Sequence, residues 1–157
     1  MGRTEGETGM TDNQYIAHVW LSRMWDFDSE INQLVMRRDK ILDSLSGIGK
    51  YDDKAIPGGS DPNPTETKNI EYSLLSEQID AKLMEIAKEN VRTQAVINRV
   101  ENNLLRGMLF AWYINRLDWR GVGKIYNYEK SRVYELRNKA LDAVLQFIPV
   151  EEVDIDG

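Results

Sequence analysis

The chain has 157 residues, no cysteine and one histidine, His18, which excludes disulfides, thiolate metal sites and zinc sites of the His and Cys type. Hydrophobic content of 41% and charged content of 29% are those of a helical globular protein, and no apolar run reaches the length of a membrane span. The net charge of −6 weighs against nucleic-acid binding until its distribution is followed, because residues 99–146 hold nine Lys and Arg against five acids while residues 1–98 and the tail from Glu151 carry the negative charge.

Residues 1–12 are rich in Gly, Thr and Glu and are expected to be disordered; their polar, acidic character is unlike a signal peptide, so the expected location is the cytoplasm. Asp12 or Asn13 is expected to cap a helix whose apolar positions Ile16, Trp20, Met24, Phe27, Ile31, Leu34, Ile41 and Leu45 recur every three or four residues. A stripe from Tyr15 to Leu45 predicts one helix of roughly 45 Å with a partner along its length. Residues 46–67, with four glycines and three prolines, are expected to form a flexible connector. A second long helix follows to Val100, with Ile70, Leu74, Leu83, Ile86, Ile97 and Val100 as its expected buried positions. Residues 13–100 thus predict a helical hairpin, or a coiled coil between two copies in which Arg38 and Asn90 either set the register or face solvent.

Residues 101–148 organise the rest. Met108, Leu109, Trp112 and Tyr113 end one helix; Trp119, Val122 and Ile125 mark a short helix, which Asp118 is placed to cap. Asn127 stands where a tight turn needs a left-handed residue. The last helix buries Val133, Leu136, Ala140 and Val144 along one stripe. Two helices joined by three or four residues, the second longer and basic at its start, predict a helix-turn-helix. Pro149 stops the last helix, and residues 149–157 are expected to form a loose acidic tail.

The order Tyr113-Ile114-Asn115, Trp119, Val122, Asn127-Tyr128, Val133-Tyr134, Leu136 and Ala140-Leu141 resembles the C-terminal domain of phage late-transcription regulators of the ArpU and RinA type, which are similar in turn to region 4 of sigma factors. The resemblance implies an all-α protein, a C-terminal DNA-binding domain and a contact to bacterial RNA polymerase. Four positions depart from the family pattern. Arg116 stands where a glycine is usual, Gly121 and Gly123 where an acid and an alanine are usual, and Glu129 where a serine is favoured.

On the last helix the buried stripe leaves Ser131, Glu135, Asn138 and Asp142 on the opposite side. Lys130, Ser131, Arg132, Tyr134, Glu135 and Asn138 are therefore the candidate base and phosphate contacts: Arg and Lys for guanine or phosphate, Asn for adenine, Glu for the cytosine amino group. Arg116, Arg120 and Lys124 around the short helix are candidate phosphate contacts. Trp119 is expected to pack in the core and His18 to lie at the surface or in the helical seam. Gly47-Ile48-Gly49-Lys50 lacks the leading glycine and the Ser or Thr of a phosphate loop. No nucleophile with its base, no paired catalytic carboxylates and no cofactor motif occur, so no enzyme is expected. The expected partner is double-stranded DNA, bound by a homo-oligomer, most simply a dimer, and no membrane. Two alternatives share the layout: a small terminase subunit that assembles as a ring for DNA packaging, and a helical protein-interaction module that binds no DNA.

Overall fold

The computed structural model describes residues 7, 9–51 and 63–153, with side chains left aside for residues 47–51. Among the described residues six α-helices form: α1 (Asp12–Leu21), α2 (Phe27–Tyr51), α3 (Pro64–Ile97), α4 (Asn103–Leu109), α5 (Trp119–Tyr126) and α6 (Lys130–Val144). No strand occurs among the described residues, so the chain is all-α, and none of these helices is long and apolar enough to cross a membrane. Two compact units result, residues 25–87 and residues 1–24 with 88–157.

The expected single helix from Tyr15 to Leu45 is two helices. Ser22 to Asp26 leave the helical path although neither glycine nor proline occurs there. The Ser22 N–H still closes the last helical bond to the His18 carbonyl at 3.0 Å and the Ser22 hydroxyl joins it at 2.7 Å, while the Trp20 carbonyl accepts both the Arg23 N–H at 3.3 Å and the Arg23 guanidinium at 2.8 Å. The cap of α1 is Thr11 rather than Asp12 or Asn13. Its hydroxyl accepts from the Gln14 N–H while the Gln14 side chain accepts from the Thr11 N–H, at 3.1 and 2.9 Å, a reciprocal capping box.

The unit of residues 25–87 pairs α2 with α3 in opposite directions. Glu30 meets Lys82 at 2.8 Å, Arg37 meets Glu71 at 2.9 Å, and Lys68 donates to Ser44. Arg38, the polar residue in the apolar stripe of α2, lies over the Tyr72 ring. Between them Ile41 and Ile79 are buried, and Leu34, Leu75 and Ile86 half-buried. Ile70, Leu74 and Leu83, expected in this seam, are exposed. At 100° per residue Ile70 and Leu74 fall on the side of α3 opposite Leu75, Ile79 and Ile86. The expected connector at 46–67 shrinks from both ends: α2 continues to Tyr51, and α3 opens on Pro64, where a proline fits the first turn. The rest of that connector, 52–62, lies outside the described residues.

The other unit is built around α6, whose Val133, Leu136, Ala140, Leu141 and Val144 are buried. α1, α4 and α5 pack on it, and Trp20, Ile97, Met108, Leu109, Trp112 and Val122 complete the interior. α1 therefore belongs with α6, whereas the sequence groups it with the long helices. The helix that opens with α4 continues as one π-turn, Phe110–Ile114, in which Asn115 N–H bonds back to Phe110. The chain ends are docked where they are described. Met10 is buried, and Glu152, expected in a loose tail, accepts from the Trp20 indole at 3.3 Å and pairs with Arg92. Residues 1–6, 8 and 154–157 lie outside the described residues.

Candidate nucleic-acid interface

The turn between α5 and α6 is set by Asn127 and Gly123 and packed on Val122 and Val133. Asp118 caps α5 by accepting from the Gly121 N–H at 2.9 Å. Asn127 ends it in the left-handed conformation, at φ 60° and ψ 48°, as its position in the sequence predicts. Gly123 lets the chain double back: Tyr128 N–H bonds to the Gly123 carbonyl at 3.0 Å, and a β-carbon on Gly123 would lie 2.6 Å from the Tyr128 carbonyl oxygen. Val122 and Val133, both fully buried, join the two helices below the turn. Arg116, where the resembled family carries glycine, has φ 58°, a conformation that costs a residue with a β-carbon about 1 kcal/mol.

This turn presents the first two turns of α6. Lys130, Ser131, Arg132 and Glu135 are exposed there, as are Arg116, Arg120 and Lys124 on and before α5. Two aromatic rings draw several of them together. Arg120 from α5 and Lys130 from α6 lie 5.0 and 5.6 Å from the centre of the Trp119 ring, and Arg132 lies 5.7 Å from that of Tyr128. Trp119 is thus half-buried under cations, not a core residue as expected. Ile125, which marks the short helix in the sequence, is exposed, and Tyr126 stacks on Tyr128. The α6 N-terminus has no side-chain cap, because Glu129 makes no bond to it, and no acid in its first turn. Its first N–H groups point outward with the positive end of the helix dipole.

Other candidates are turned to other uses. Glu135 pairs with Arg132 at 3.0 Å and with Lys139 at 3.4 Å, and its hydrogen bond from Arg132 holds its carboxyl below the usual carboxylate range. Tyr134 is half-buried with its ring edge-on to Trp112. Asn138 gives its side-chain oxygen to Arg137, at 3.1 Å from one guanidinium nitrogen. Asp142 is exposed as expected, and accepts from Gln14 of α1 at 3.0 Å.

Arg137, which the sequence reading left unplaced, and His18, which it set at the surface or in the helical seam, are both buried. The Arg137 guanidinium is buried, 4.8 and 4.9 Å from the centres of the Trp112 and Tyr134 rings, and burial lowers its proton affinity. It is a core cation and adds little to the surface field. Its spacing of four from Val133 and three from Ala140 places it on the buried stripe, and that was the available signal. His18 is buried as well. Its Nδ1 lies 2.7 Å from the Tyr113 hydroxyl and its Nε2 3.0 Å from a Glu7 oxygen. Burial, with help from Arg137 and against Glu7, pulls the His18 pKa down to about 4; burial pushes that of Tyr113 up.

Comparison of the chain with known protein families, with curated proteins and with solved structures finds no match.

Proposed function

We propose that the chain is a sequence-specific DNA-binding regulator of phage or prophage transcription, acting through α5 and α6 as a helix-turn-helix. The observation that carries this reading is the convergence of Arg120, Lys130 and Arg132 on Trp119 and Tyr128 at the uncapped start of α6. Cations gathered there from two helices suit adjacent phosphates of one strand, with the positive end of the α6 dipole beside them. With α6 entering a major groove, Lys130, Ser131 and Arg132 reach base edges, while Arg116, Arg120 and Lys124 remain for the backbone. Asn138 and Tyr134 drop from the reading set, because their side chains hold Arg137 and Trp112. By resemblance to sigma region 4, RNA polymerase is the protein that this DNA-bound domain would meet.

A second reading, a protein-interaction module, is favoured by Glu135, which already neutralises Arg132 and Lys139. Selection of bound fragments from total phage and host DNA at moderate salt separates the two. The regulator reading predicts enrichment of a short motif upstream of an operon. Enrichment at a packaging region would support a terminase role, and no enrichment would leave the interaction module.

A further inference from the structure

Helix α3 has two apolar faces, and only one is covered by α2. On the opposite side Ile70, Leu74, Glu77, Ala81, Met84, Lys88, Val91 and Ala95 follow one another at alternating steps of four and three, an unbroken heptad seam along one continuous helix. All eight are exposed. The large ones are far from buried: Ile70 is 54% exposed, Leu74 55%, Met84 58% and Val91 67%. Exposed apolar side chains scattered singly are ordinary, but a stripe in coiled-coil register is not.

We propose that this seam pairs with the same seam of a second copy, antiparallel, about a twofold axis crossing α3 between Lys82 and Leu83. The occupant follows from self-complementarity. About that axis Ile70 meets Ala95 of the second copy, Leu74 meets Val91, Glu77 meets Lys88, and Ala81 meets Met84, and the symmetry repeats each pair. Two of the pairs set a large side chain against alanine, as close-packed helices require, and the only two charged residues in the seam meet with opposite sign. A parallel pair in register would stack Glu77 on Glu77 and Lys88 on Lys88, so charge selects the antiparallel arrangement. Such an isologous contact closes at a dimer and leaves no seam for a third chain. The inference does not rest on DNA binding, since no residue of α5 or α6 enters it.

The test is the mass of the full chain by sedimentation equilibrium across a concentration range reaching about 100 μM, because a dimer of this kind must assemble by mass action. The expected mass is twice 18.1 kDa. Leu74→Glu with Met84→Glu, at positions exposed in the single chain, is expected to keep the helical circular dichroism and return the mass to that of one chain. Glu77→Lys alone and Lys88→Glu alone are each expected to weaken the dimer about tenfold, equivalent to about 1.4 kcal/mol, and the double exchange to restore it. A monomer throughout, a dimer indifferent to Leu74→Glu with Met84→Glu, or a charge exchange that does not restore pairing would each overturn the proposal.

Discussion

Arg137 donates to Asn138 Oδ1 at 3.1 Å, from a guanidinium buried between Trp112 and Tyr134. A residue that the sequence offers as a reader of adenine is thereby a ligand of a buried cation. Asn138→Ala is expected to destabilise the fold by about 1–3 kcal/mol, the usual effect of removing a partner from a buried charged group. Arg132→Ala, at an exposed position, is expected to change stability by no more than about 0.5 kcal/mol. Urea unfolding of the two variants checks the contrast, and equal effects would mean that Asn138 plays no structural part.

Gly123 departs from the family pattern for a geometric reason. Its missing β-carbon is what allows the Tyr128 carbonyl to approach, since the added atom would lie 2.6 Å from that oxygen. Gly123→Ala raises helix propensity by about 1 kcal/mol, yet it is expected to lower overall stability by about 1–3 kcal/mol because backbone, not a flexible side chain, must move. Thermal unfolding decides between the two effects by the sign of the change in Tm.

His18 gives the fold a pH dependence. Its pKa is about 4 in the folded chain, below the ordinary 6.5, so between these values the unfolded chain binds a proton that the folded chain refuses. Stability is therefore unaffected by this group above pH 6.5, falls as pH drops from there, and is lower by about 3 kcal/mol below pH 4. His18→Gln, compared with the parent chain by unfolding at pH 7 and pH 4.5, is expected to flatten this part of the profile. An unchanged profile would place the acid sensitivity elsewhere.

The parts of the fold that were legible in the sequence are those with a single physical solution. Asp118 before a short helix can only cap it, Asn127 is the residue of its turn that best tolerates positive φ, and Val133, Leu136, Ala140 and Val144 define one face. Legibility failed where two solutions share one pattern. α3 carries apolar residues at helical spacing on two opposite faces, so Ile70 and Leu74 were indistinguishable in sequence from Leu75 and Ile79. The break after Leu21 has no glycine or proline to announce it; the Ser22 and Arg23 side chains bond to carbonyls of the last turn of α1 there. Trp119 looked like core because an aromatic beside Val122 has the right spacing, and only the three-dimensional approach of Arg120 and Lys130 turns it into a shelf.

The most direct test of the central claim is the salt dependence of duplex DNA binding by the full chain, measured by fluorescence anisotropy for the parent and for Arg120→Ala with Lys130→Ala and Arg132→Ala. Each phosphate contact contributes about −0.9 to the slope of log K against log salt, so the triple variant is expected to lose between about 2 and 3 from the slope, with unchanged helicity. Parent and variant binding with the same slope, or no binding by the parent even at low salt, would contradict a DNA interface at the start of α6.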